Sequence, residues 1–103
     1  MSAVTEAEIQ RDILVKYGAR PGLRLWRENT GAAKIGGRFI RFGVPGRPDI
    51  QGVWNGRYLA IEVKRPGGVQ SAVQKTFQAA IEACGGIYVL AYSVADVARI
   101  LGE

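Results

Sequence analysis

Histidine is absent from all 103 residues. That excludes Ser-His-Asp and Cys-His catalysis, imidazole general bases and His-ligated zinc. Cysteine occurs once, as Cys84, so neither an internal disulfide nor a multi-cysteine metal site is available, and a cytoplasmic setting fits. No run approaches the ~20 apolar residues of a membrane helix. The first residues, Met1-Ser2-Ala3-Val4-Thr5-Glu6, have neither the basic nor the apolar segment of a signal peptide, so no leader and no membrane partner are expected. Acids are scarce as well: 9 Asp and Glu stand against 14 Lys and Arg, a net charge of +5. Such a balance favours a polyanionic partner, nucleic acid above all. The chemistry left to the chain is that of Asp, Glu, Lys, Tyr and Ser. A hydrophobic content of 48% suffices for one small core, and the length argues for a single domain over 1–103.

Thr5 to Glu8 reads as a capping box opening a helix. Ile9, Ile13, Leu14 and Tyr17 follow at helical spacing, and Gly18 and Pro21 stop it. Leu23 to Asn29 is a strand candidate. Thr30 to Pro48 is Gly-rich and carries Lys34, Arg38, Arg41 and Arg47 with no acid; its middle, Arg38 to Phe42, is expected as a short strand. Asp49 to Trp54 and Arg57 to Lys64 are strands joined by Asn55-Gly56, the strongest short hairpin signal. Ser71 to Cys84 is a helix with the apolar stripe Val73, Phe77, Ala80, Ile81 and Cys84, ended by Gly85-Gly86. Gly86 to Tyr92 is a buried strand, and Ser93 caps a last helix with Val97, Ile100 and Leu101 inside. The fold class is α/β, of the α+β kind: a mixed sheet in the order αβββαβ, with a C-terminal helix.

The hairpin brings acids together. With Asn55-Gly56 as its turn, paired residue numbers sum to about 111, which sets Asp49 opposite Glu62. Glu62 and Lys64, two residues apart on a strand, project from one face. Two carboxylates and an ammonium therefore converge, which suits a hard dication such as Mg²⁺ or Mn²⁺ and needs no histidine. The competing reading is a solvated ion pair between Glu62 and Lys64. The cations Lys34, Arg38, Arg41 and Arg47 are candidates for phosphate contact, or form a solvated loop. Phe39 and Phe42 are read as core packing, with stacking on unpaired bases as the other option. Trp26 and Trp54 are expected in the core or at a dimer contact, and Cys84 in the core. Gly36-Gly37 lacks the strand–helix context of a nucleotide-binding loop, so no organic cofactor is expected.

Pro48-Asp49 with Glu62-Val63-Lys64 resembles the PD-(D/E)XK nuclease motif. Gly36-Gly37-Arg38-Phe39-Ile40-Arg41-Phe42-Gly43, Gly46-Arg47-Pro48-Asp49-Ile50, Ala60-Ile61-Glu62-Val63-Lys64, Ser71-x-x-Gln74 and Gly85-Gly86 together resemble the virus-type replication-repair nuclease (VRR-NUC) family of that superfamily, over nearly the whole chain. The resemblance implies a restriction-endonuclease-like core and a metal-dependent phosphodiesterase acting on branched or flap DNA. Asp49 and Glu62 would bind the metal and Lys64 would serve the attacking water. It also implies an acid on the first helix, which maps to Glu8 as catalytic residue and metal ligand, with Glu6 and Asp12 as the other acids there. Glu8 is equally the expected capping partner of Thr5. Gln74 matches the family's helix glutamine and is assigned to the catalytic set; otherwise it is a boundary residue on a solvated face, like Gln70 and Gln78. Asn29 resembles a family position near the site and receives no role. One small domain grips little duplex, so a homodimer on four-way junctions is expected. The alternatives are a non-catalytic nucleic-acid-binding module, or a subunit of a larger replication or repair assembly.

Overall fold

The computed structural model describes residues 4–28, 32–41 and 44–103, with the backbone alone at 32–35 and 39–41. Helix α1 (Glu6–Tyr17) is followed by strands β1 (Ala19–Arg20), β2 (Leu23–Arg27), β3 (Ala32–Ile35), β4 (Arg38–Arg41), β5 (Ile50–Trp54) and β6 (Arg57–Val63). Helix α2 (Ala72–Ala83), strand β7 (Ile87–Ala91) and helix α3 (Val94–Ile100) complete the chain. Five strands form one mixed sheet in the order β1-β2-β5-β6-β7. The first four of these are antiparallel to one another in succession, and β6 and β7 are parallel. A parallel pair needs a long crossover, and α2 supplies it. This is the expected α+β architecture with its C-terminal helix. Among the described residues no helix is long and apolar enough to cross a membrane.

The β5–β6 hairpin has the expected register: Ile50 pairs with Ile61 and Trp54 with Arg57. Asn55 and Gly56 both take positive φ, 48° and 83°, the conformation that a two-residue primed turn demands and most side chains resist. Gly52 answers a different need. A Cβ there would lie 1.9 Å from the Arg24 carbonyl oxygen, so β2 and β5 could not pair at this spacing.

Alternation splits the sheet into two faces. Leu59, Ile61 and Val63 join Ile50, Leu23, Leu25, Val89 and Ala91 under α1 and α3, where Ile9, Ile13, Tyr17 and Val97 close the core. The other face carries Tyr58, Ala60 and Glu62 on β6, with α2 lying over that part.

Four local expectations differ from the structure. The segment around Arg38 joins no strand of the main sheet; β4 pairs with β3, which the sequence reading missed, as a separate hairpin. Strand β2 ends at Arg27. Ser93 occupies the N-cap of α3 but makes no side-chain cap bond; Asp96 reaches back instead and accepts from the Tyr92 N–H at 2.8 Å. Finally, α2 buries none of its residues fully. Val73 is 50% exposed and Cys84 is exposed, so the stripe read as core is only partly covered.

Candidate active site

Pro48 is fully buried and anchors the approach to β5, leaving Asp49 at the strand mouth. There the ladder continues on both sides. The Glu28 N–H donates to the Asp49 carbonyl at 2.8 Å, and the Val63 N–H donates to Asp49 Oδ2 at 2.8 Å. One carboxylate oxygen of Asp49 thus takes the place of a strand partner and cannot swing away.

Glu62 lies at the corresponding end of β6 and is 3% exposed. Its Oε1 accepts from Gln74 Nε2 at 2.9 Å and stands 3.9 Å from Lys64 Nζ. Its Oε2 is buried and receives no N–H or O–H donor from the described residues, while the Asp49 carboxylate lies within hydrogen-bond reach of the Glu62 carboxyl. Burial first, then the negative charge of Asp49 and a hydrogen bond shared with it, push Glu62 up to about 8; Lys64 pulls the other way and Glu6 pushes upward. A buried carboxyl in such a place must hold a proton or meet a cation.

Lys64 is fixed through its backbone: its N–H donates to the Ala91 carbonyl at 2.9 Å, carrying the parallel ladder one step past β6. Gln74 is fixed from the other side. As the third residue of α2 it closes a reciprocal capping box, in which the Ser71 N–H donates to Gln74 Oε1 at 2.9 Å and the Gln74 N–H donates to Ser71 Oγ at 3.2 Å. With its amide oxygen bound to the helix end, the Gln74 NH₂ group is turned toward Glu62. One side chain both starts α2 and ties it to the acid.

The first-helix acid at this place is Glu6 rather than Glu8. Glu6 Oε2 accepts from the Arg65 N–H at 3.3 Å, just beyond β6. Glu8 is exposed, and its backbone N–H donates to Thr5 Oγ1 at 3.1 Å. The helical wheel explains this: at ~100° per residue Glu6 sits within about 20° of the mid-line through Ile9, Ile13 and Tyr17, and Glu8 about 140° from it. Asp12 is exposed and pairs with Arg11 at 3.2 Å. Of the basic set, Arg38 is exposed and Arg47 half-buried. The side chains of Lys34, Arg41 and Phe39, and all of Phe42 and Asn29, lie outside the described residues.

Two further polar groupings escaped the sequence reading. Gln51 donates from Nε2 to Glu28 Oε2 and accepts at Oε1 from the Tyr58 hydroxyl at 2.8 Å. Gln70 Nε2 donates to Gln78 Oε1 at 3.0 Å and to the Tyr88 hydroxyl at 3.2 Å. The first was accessible in principle, since Gln51 lies two residues from Asp49 and shares its face. The second needs α2 docked to be seen.

The donor set fits a hard dication. Asp49 and Glu62 offer oxygen ligands, and two carboxyl groups this close need a shared proton or a cation between them. Among the described residues no three His, Cys, Asp or Glu side chains stand together as ligands. Two carboxylates are nevertheless what Mg²⁺ commonly takes from protein, with water and phosphate filling its octahedron. No protein-family model, curated protein or solved structure matches the chain.

Proposed function

We propose that the chain is a metal-dependent DNA endonuclease of the PD-(D/E)XK kind, which hydrolyses phosphodiester bonds in branched DNA such as four-way junctions and works as a homodimer. The supporting observation is Glu62: a buried acid set against the Asp49 carboxylate, beside Lys64 and held by Gln74. A purely structural ion pair would not set a second carboxylate against the buried acid.

Asp49 and Glu62 would hold Mg²⁺ or Mn²⁺, with Glu6 as the nearby helix acid. Bound there, the ion would polarise the scissile phosphate and acidify the attacking water. Lys64 contributes a fixed positive charge where negative charge grows on the phosphate oxygens, and it orients the water. Gln74 keeps the Glu62 carboxylate in one rotamer, so the ligand geometry is set before substrate arrives. The net charge of +5 attracts the polyanion over distance.

The test is incubation of the purified chain with labelled four-way junction, flap, duplex and single strand, in Mg²⁺, Mn²⁺ or EDTA. Cutting that needs the metal and favours the junction is the expected result. Binding without cutting in either metal overturns the reading, and the non-catalytic module or the missing-partner subunit then takes its place. The dimer has its own support in α2, which leaves Val73 half exposed and buries none of its residues fully. Sedimentation should find a dimer with and without junction DNA; monomer alone in both conditions removes that part of the proposal.

A further inference from the structure

Helix α2 covers only half of the sheet face that carries the acids. Over β6 and β7 it lies close: Ala60 is fully buried, and the Phe77 and Tyr88 rings pack with centroids 6.4 Å apart. Over β2 and β5 no described helix covers the same face. Trp26 is 47% exposed and Val53 43%. Register places them: Trp26 pairs with Gln51 and Arg24 with Val53, so all four share the face of Asp49. From Trp26 to Asp49 is one cross-strand diagonal, about 7–8 Å between backbones.

An open tryptophan beside the cleavage machinery, on a chain of charge +5, points to what lies on it. We propose that this half of the sheet seats an unpaired nucleotide next to the bond being cut, its base stacked on the Trp26 indole. The inference rests on the nuclease reading and names the local state of its substrate.

The polar neighbours argue for a splayed base over a continuous duplex. Glu28 is held by Gln51, which is held in turn by the Tyr58 hydroxyl, so a carboxylate is built into the floor beside the indole. A phosphate laid across that floor would be repelled. The amino or imino edge of an unpaired base would instead find an acceptor, while in a duplex that edge is already used. Arg24 is exposed, and its guanidinium donates to the Arg20 and Leu23 carbonyls along the rim. Its positive charge lies where the strand's phosphates would run. Beyond it, a shallow groove of about 420 Å³, lined by Arg24, Val53 and the Asn55-Gly56 turn, continues the path away from Asp49.

The experiment measures binding in EDTA, where no cutting occurs. The full chain is titrated with a labelled single strand, a flap and a blunt duplex, followed by anisotropy and by tryptophan fluorescence. Single strand and flap should quench the fluorescence. Trp26→Ala should weaken both by about 5- to 100-fold, the loss of one stacked base, and leave the duplex within about twofold. Glu28→Gln should narrow the gap between single strand and duplex. Trp26→Thr, a strand former without a π face, replaces the alanine variant if that one does not fold. Equal weakening of single strand and duplex, or no weakening, overturns the proposal. So does a Trp26 variant that shifts only the monomer–dimer balance, which would make the face a protein interface. Cleavage by the unaltered chain is scored in parallel. Metal-dependent cutting with Trp26-independent binding rejects this inference alone; a chain that neither binds nor cuts rejects the nuclease reading with it.

Discussion

Lys64→Ala and Glu62→Gln are each expected to lower metal-dependent cleavage of the preferred DNA by about 10²–10³-fold, the usual cost of removing one preorganised electrostatic contact to a transition state. Binding measured in EDTA should move far less. Glu62→Gln removes a negative charge facing the phosphates and should leave affinity equal or tighter. Lys64→Ala removes one cation of many and should cost a few-fold. Asp49→Asn is the third member of the set. Its amide oxygen still accepts from the Val63 N–H, as Asp49 Oδ2 does at 2.8 Å, so the β5–β6 end keeps its shape while the ligand charge is lost. Equal loss of cutting in all three variants, with retained binding and unchanged melting temperature, identifies one charge constellation. Residual cutting equal to the unaltered chain in any of them would assign the activity elsewhere and overturn the mechanism.

Much of this site was legible before the fold was known, because it depends on one local device. Asn55-Gly56 dictates the turn, the turn dictates the register, and the register sets Asp49 against Glu62. The errors came where tertiary contacts decide. The resemblance maps the first-helix acid to Glu8, whose spacing from Thr5 fits a capping box equally well; the helix turns Glu8 outward, and its backbone N–H donates to Thr5 Oγ1. The reciprocal box formed instead at Ser71 and Gln74, where the resemblance had marked the residues without giving the capping reason. The apolar stripe of α2 has the right period, but period says nothing about how much surface the sheet offers to cover it. Strands β1 and β3, of two and four residues, are too short to show alternation. The Glu28–Gln51–Tyr58 line crosses three strands, and no local pattern announces a contact that only the sheet order creates.

The acidity of Glu62 makes a second strong prediction, for stability without metal. Its carboxyl is pushed up to about 8, by burial first and by Asp49 second, from an ordinary value of 4.5. Between those two pH values the folded chain holds a proton that the unfolded chain has released. Stability must therefore fall as pH rises through this window. The Glu62 contribution is fully present below about 4.5 and gone above about 8, and a loss on the order of 1–3 kcal/mol is expected in EDTA. Other shifted groups act outside the window. Asp96, held low against its burial by the Tyr92 N–H and by Arg99, matters only as pH drops below its ordinary 3.8. Tyr58 and Tyr88, both raised chiefly by burial, matter only above their ordinary 10.0. Denaturant melts of the unaltered chain and of Glu62→Gln, from pH 5 to pH 8.5, isolate the effect. The variant should give a flat profile and be the more stable protein at the alkaline end, since its neutral amide fits beside Asp49 without a proton to lose. Adding Mg²⁺ should reverse the slope for the unaltered chain alone, because a cation bound to the folded state stabilises it by mass action and competes with the proton for the same oxygens. A flat profile for the unaltered chain in EDTA would mean that Glu62 is not held in a desolvated place beside Asp49. A falling profile that Mg²⁺ leaves unchanged would mean that the two carboxylates share a proton and no metal.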